Sequence, residues 1–87
     1  MVEIRMQHIC YMALSKSEVS KMVGSKIRTI RNAKQLTIEK VAFEAGMEYT
    51  QLSRIEHGKI NTSIYHIYKI SKSLDIRMPD LFNDIHK

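Results

Sequence analysis

This chain of 87 residues has one cysteine, Cys10. A single thiol cannot close an internal disulfide, and no Cys-x-x-Cys pair is present to hold zinc. That usage fits a reducing compartment, so a cytoplasmic protein is expected. No apolar run approaches the ~20 residues that cross a bilayer. The N-terminus lacks the continuous apolar stretch and small-residue cleavage site of a secretory signal. The three glycines, Gly24, Gly46 and Gly58, are scattered and form no phosphate-cradling loop. His8 and Cys10 offer two metal ligands with no second pair, and His57, His66 and His86 share no i, i+4 spacing, so no metal site is expected. Nothing places a nucleophile beside a base, and catalysis has no support in the sequence. No small-molecule ligand or cofactor is indicated.

What is present points elsewhere. The formal net charge is +5, which favours a polyanionic partner: nucleic acid first, an anionic membrane surface second. The length allows one domain with a modest core.

Residues 1–14, MVEIRMQHICYMAL, begin with a strand-like alternation (Val2, Ile4 and Met6 against Glu3, Arg5 and Gln7) and continue without a clear period. A lone strand is not stable in water. The segment is expected to be a disordered or loosely held extension, or to pair with its copy in a dimer, or to fold against the helices. The domain proper is expected over residues 15–87.

Ser15 and Glu18 have the spacing of a capping box, in which each side chain satisfies the other residue's amide. A first helix then runs to about Lys34, with Val19, Met22 or Val23, Ile27 and Ile30 on one face. Thr37 can cap a second helix that runs to about Ala45. Gly46 permits a left-handed turn. A third helix spans about Glu48 to His57 and stops at Gly58. A fourth starts at Asn61, Thr62 or Ser63, with Ile64, Ile67, Tyr68, Ile70 or Ser71, and Leu74 as its buried stripe. A short fifth helix carries Pro79 in its first turn. The expected fold is an all-α bundle of five helices.

The stretch Thr37 to Gly58 is the most informative. It reads as two short helices about a glycine turn, with Ile38, Val41, Ala45, Leu52 and Ile55 at spacings that share one core. Ala42 and Gly46 are small where the two helices are expected to cross closely. That is the pattern of a helix-turn-helix, which points to duplex DNA and to control of transcription.

The region Val23 to Phe82 resembles the phage repressor and Cro-like helix-turn-helix family, of the xenobiotic response element type. The resemblance rests on Gly24 to Arg31, Leu36-Thr37, Val41-Ala42, Gly46, Ser53 to Lys59, Lys69-Ile70, Leu74 and Leu81-Phe82 in that order. It implies a five-helix lambda-repressor-like domain whose third helix enters the major groove. Base contacts are then expected from Glu48, Tyr49, Thr50 and Arg54. Arginine can fork onto guanine, threonine can touch a thymine methyl, and glutamate can accept from cytosine. Phosphate contacts are expected from Thr37, Ile38, Lys40, Gln51, His57, Lys59 and Asn61. Many relatives carry glutamine at the position of Ile38, where it clamps phosphate. Isoleucine cannot, so backbone amides or neighbouring residues must take that contact, or Ile38 serves a core or a dimer. Arg31 and Glu56 correspond to an ion pair between the first helix and the end of the third.

The resemblance also implies a homodimer on a palindromic operator, with half-sites ~34 Å apart. The C-terminal residues Ile76, Met78, Leu81, Phe82 and Ile85 are candidate dimer contacts, and the N-terminal segment is another. A second reading belongs to a different class: a protein-binding helix-turn-helix module, such as an antitoxin or a transcription cofactor.

Overall fold

The computed structural model describes residues 14–83. The expected extension, apart from Leu14, lies outside the described residues, as does Ile85. The described chain runs as α1 (Lys16–Ala33), α2 (Ile38–Glu44), α3 (Tyr49–Glu56), α4 (Ile64–Leu74) and a single 3-10 turn (Met78–Leu81). Among the described residues there is no strand.

Each start is set locally. Ser15 Oγ accepts from the Glu18 amide at 3.1 Å, and the Ser15 amide donates to Glu18 Oε1 at 2.8 Å, so the capping box is complete. Thr37 Oγ1 caps α2 by accepting from the Lys40 amide, and Ser63 Oγ caps α4 by accepting from the His66 amide.

The ends are equally uniform. In all four helices two successive amides turn back onto carbonyls of the last turn, through one residue in the left-handed region. At α2 the Gly46 and Met47 amides bond Phe43 O and Ala42 O, and at α3 those of Gly58 and Lys59 bond Ile55 O and Arg54 O. Gly46 (φ 71°) and Gly58 (φ 70°) take that backbone freely. Gln35 and Asp75, both at φ 59°, do the same work after α1 and α4 with a side chain present.

The expected fifth helix is a 3-10 turn of four residues. Asp80 Oδ2 accepts from the Arg77 amide at its start, Pro79 sits in its first turn where no amide donor is needed, and its last backbone bond runs from the Phe82 amide to Pro79 O. Four helices and this turn therefore replace the bundle of five.

The core is aliphatic. Ile27, Val41, Leu52, Ile70, Leu74 and Leu81 are fully buried where α1, α2, α3, α4 and the turn meet. Val23, rather than Met22, faces it from α1. On α4 the buried residues are Ile67, Ile70, Ser71 and Leu74. Ser71 fits because its hydroxyl donates to Tyr68 O at 2.7 Å. The other two members of the expected stripe are corrected: Ile64 is 78% exposed and Tyr68 is 42% exposed. Ile64 is the first residue of the helix and precedes the turn that reaches the core. Tyr68 follows Ile67 by one position and so faces about a quarter-turn away.

Gly46 is also corrected in part. A Cβ there would meet only the Lys69 side chain, so its role is the left-handed turn rather than a close crossing. The close crossing lies at Gly24. A Cβ on Gly24 would sit 2.1 Å from Ile55 O and 2.8 Å from Glu56 O, so the α1 backbone rests directly on the last turn of α3.

Candidate nucleic-acid interface

Helix α3 is eight residues long and has two unlike faces. Leu52, Ile55 and Glu56 are buried. Arg31 on α1 fixes the end of the helix: Nε donates to Glu56 Oε2 at 2.7 Å and Nη2 to Glu56 Oε1 at 3.1 Å. Its third donor, Nη1, reaches Leu36 O at 2.8 Å. The guanidinium thus ties α1, the α1–α2 loop and the last turn of α3 together in a forked geometry that lysine could not reproduce. The Glu56 side chain has no exposed surface and that of Arg31 has 10%.

The opposite face is open. Tyr49, Thr50, Ser53, Arg54, His57 and Lys59 surround one shallow depression. Glu48, Thr50, Gln51, Arg54 and Ile60 line a second beside it. Thr50 and Arg54, one turn apart, form the ridge between the two. All four residues expected to read bases therefore stand on or at the start of this one helix. Glu48 is its N-cap and makes no side-chain capping bond, so its carboxylate is left at the positive helix end. Ser53 was absent from the expected set. The available signal was its position, three residues after Thr50 and four after Tyr49 on the same helical face.

The expected phosphate contacts divide. Gln51, His57 and Lys59 join the two depressions. The His57 ring lies along the helix end, with Nδ1 2.8 Å from Ser53 O. Asn61 turns toward α1, where Ser20 Oγ donates to Asn61 Oδ1 at 3.4 Å. Thr37, Ile38 and Lys40 stand on α2 or at its cap and line neither depression. The Ile38 side chain is half-buried against the core. Lys40 Nζ lies 3.0 Å from Glu44 Oε2. Hydrogen bonds from Lys40 and from the Ser73 hydroxyl hold the Glu44 carboxyl below the usual carboxylate range.

Among the described residues no group of three His, Cys, Asp or Glu side chains could hold a metal ion, and no helix is long and apolar enough to cross a membrane.

The profile of the family described as helix-turn-helix matches residues 27–81, which fall inside the region that carries the sequence resemblance. The chain belongs to the helix-turn-helix family. Two similar proteins are control proteins: C.BamHI of Bacillus amyloliquefaciens is 41% identical over 63 residues, covering 71% of this chain and 78% of its own. C.MunI of a Mycoplasma species is 38% identical over 65 residues, covering 74% of this chain and 88% of its own. The crystal structure of the restriction-modification controller protein C.AhdI from Aeromonas hydrophila superposes with a TM-score of 0.71 at 33% identity. That match spans 72% of this chain and 96% of the controller. Within this family α2, the Gly46 turn and α3 of the present chain form the helix-turn-helix itself.

The surface also bears on assembly. Of the candidate dimer residues, Leu81 is buried in the chain's own core at 1% exposure, and Ile76 and Met78 pack against that core. Phe82 is exposed. The large apolar side chains that α4 leaves in solvent are Ile64, Tyr65 and Tyr68, with the rings of Tyr65 and Tyr68 stacked at 6.4 Å.

Proposed function

We propose that this helix-turn-helix protein is a sequence-specific, duplex-DNA-binding regulator of transcription of the restriction–modification controller kind. It acts in the cytoplasm as a homodimer on a palindromic operator. The observation that carries the reading is the outer face of α3: Tyr49, Thr50 and Arg54 are exposed, with Ser53 half-buried beside them, on a helix whose inner face is locked to the core. The similarity to three controller proteins over most of their own lengths supports the system assigned.

In this reading α3 lies in the major groove. Arg54 forks onto a guanine, Thr50 and Tyr49 pack on base edges or methyls, and Glu48 accepts from a cytosine amino group. Lys59, His57 and Gln51 hold phosphate beside the helix, with the Thr37 and Ile38 amides at the start of α2 on the other side. One domain makes too few base contacts for high specificity, and a two-fold copy doubles them. Ile64, Tyr65, Tyr68 and Phe82 supply exposed apolar surface for that copy.

Selection from a random duplex library at fixed moderate salt tests the proposal. An enriched palindrome with half-sites about one helical turn apart is the expected result. Weak, salt-sensitive binding without enrichment would replace it with the protein-binding reading.

A further inference from the structure

We infer that His57 engages the DNA backbone only as its imidazolium, so that DNA binding takes up a proton and the affinity of the chain falls as pH rises. The inference rests on the DNA-binding reading above and concerns the regulation of that same surface.

The argument begins with one hydrogen bond. His57 Nδ1 lies 2.8 Å from Ser53 O. A backbone carbonyl can only accept, so Nδ1 must carry the proton. In the neutral ring Nε2 is then a bare lone pair. A phosphate oxygen is also an acceptor, and two acceptors repel. The neutral ring held in this position offers DNA phosphate nothing. Protonation at Nε2 adds both a donor and a positive charge without disturbing the bond to Ser53 O.

His57 is the C-cap of α3. Cations stand around it: Arg54 and Lys59 share its depression, and Lys21 of α1 packs against the adjoining Gly58. Tyr49 is the other titratable group in the depression. Glu56, the residue before His57, is buried in its pair with Arg31 and does not share the open surface. Among the described residues, the depression that His57 lines holds cations and no open carboxylate. A phosphate arriving there supplies the missing anion and stabilises the imidazolium. Imidazoles change charge between about pH 5 and 8, so the linkage falls in an accessible range.

The sign follows directly. The imidazolium contact is fully present at the acid end of the range and is lost as pH rises through the titration of the bound ring. Loss of one charge-assisted hydrogen bond corresponds to about a tenfold drop in affinity. It also removes one phosphate neutralisation, so the slope of log affinity against log salt becomes shallower by about 0.9.

The test measures binding of the full chain to a mixed-sequence duplex across a salt series, at about pH 6 and about pH 8. Wild type is compared with His57→Gln, a neutral side chain at both values, and with His57→Arg, a cation at both. Residues His8, His66 and His86 are common to all three proteins, so their contributions cancel. Wild type should lose about tenfold more affinity than His57→Gln between the two pH values, and its salt slope should fall by about 0.9 more. His57→Arg should keep wild type's tighter binding at both. Equal pH dependence and equal slopes in wild type and His57→Gln would overturn the inference while leaving the DNA-binding reading intact. If no variant binds the duplex at either pH, both fall together.

Discussion

The two faces of α3 follow opposite rules. The inner face is held from three directions: Leu52 and Ile55 pack into the core, the last turn rests on the backbone at Gly24, and Glu56 is gripped by Arg31. The outer face presents Tyr49, Thr50, Arg54 and His57 to solvent, with nothing built against them among the described residues. Eight residues thus separate two jobs. The inner set fixes where the helix stands, and the outer set is, on the proposed reading, what meets DNA. A substitution on the first face should therefore appear as lost stability, and one on the second as changed recognition with the fold intact.

Gly24→Ala should break this division most severely. The new methyl meets two backbone carbonyl oxygens rather than a side chain that can move aside. The cost should be about 5 kcal/mol or more, close to the whole stability of a small domain. Thermal unfolding followed by circular dichroism should show no cooperative transition; a melt near that of wild type would mean that α1 and α3 can part without penalty. Next comes Glu56→Ala, which leaves the largely buried Arg31 with only Leu36 O as a partner. It should cost about 3–5 kcal/mol in urea unfolding, and a loss under about 1 kcal/mol would place the pair among ordinary surface bridges.

The outer face should behave in the contrary way. Arg54→Ala should leave the melting temperature unchanged and lower discrimination at one base pair by about 1–3 kcal/mol. Equal losses on every duplex would reduce Arg54 to a phosphate contact. The smallest effect sharpens the comparison at the turns. Gly46→Ala should cost only about 1 kcal/mol, because it adds backbone strain and touches just the flexible end of Lys69. Gly58→Ala, whose methyl would press on the backbone of Lys21, should cost clearly more. Equal melting temperatures for the two alanine variants would show that left-handed strain alone governs both sites.

The sequence was most legible where the signal is local. Capping by Ser15, Thr37 and Ser63, the turn at Gly46 and the stop at Gly58 each depend on residues a few positions apart. Left-handed ends at Gln35 and Asp75 were missed, because neither residue advertises that conformation as glycine does. The C-terminal segment was read as a helix from its apolar spacing. It forms instead one 3-10 turn, whose backbone bonds end with the Phe82 amide on Pro79 O.

The sequence by itself determined the capped starts of α1 and α2, the order of the helices, the aliphatic makeup of the core and the family. Each of these is written in spacing and residue type along the chain. Tertiary structure alone decided that Gly24 is a backbone contact and that Ile64 and Tyr68 face solvent. It also decided the direction of the His57 ring and the pairing of Lys40 with Glu44. The reason is geometric. Periodicity assigns a residue to a helical face, but only the approach of a second element settles whether that face is covered and which atoms meet there.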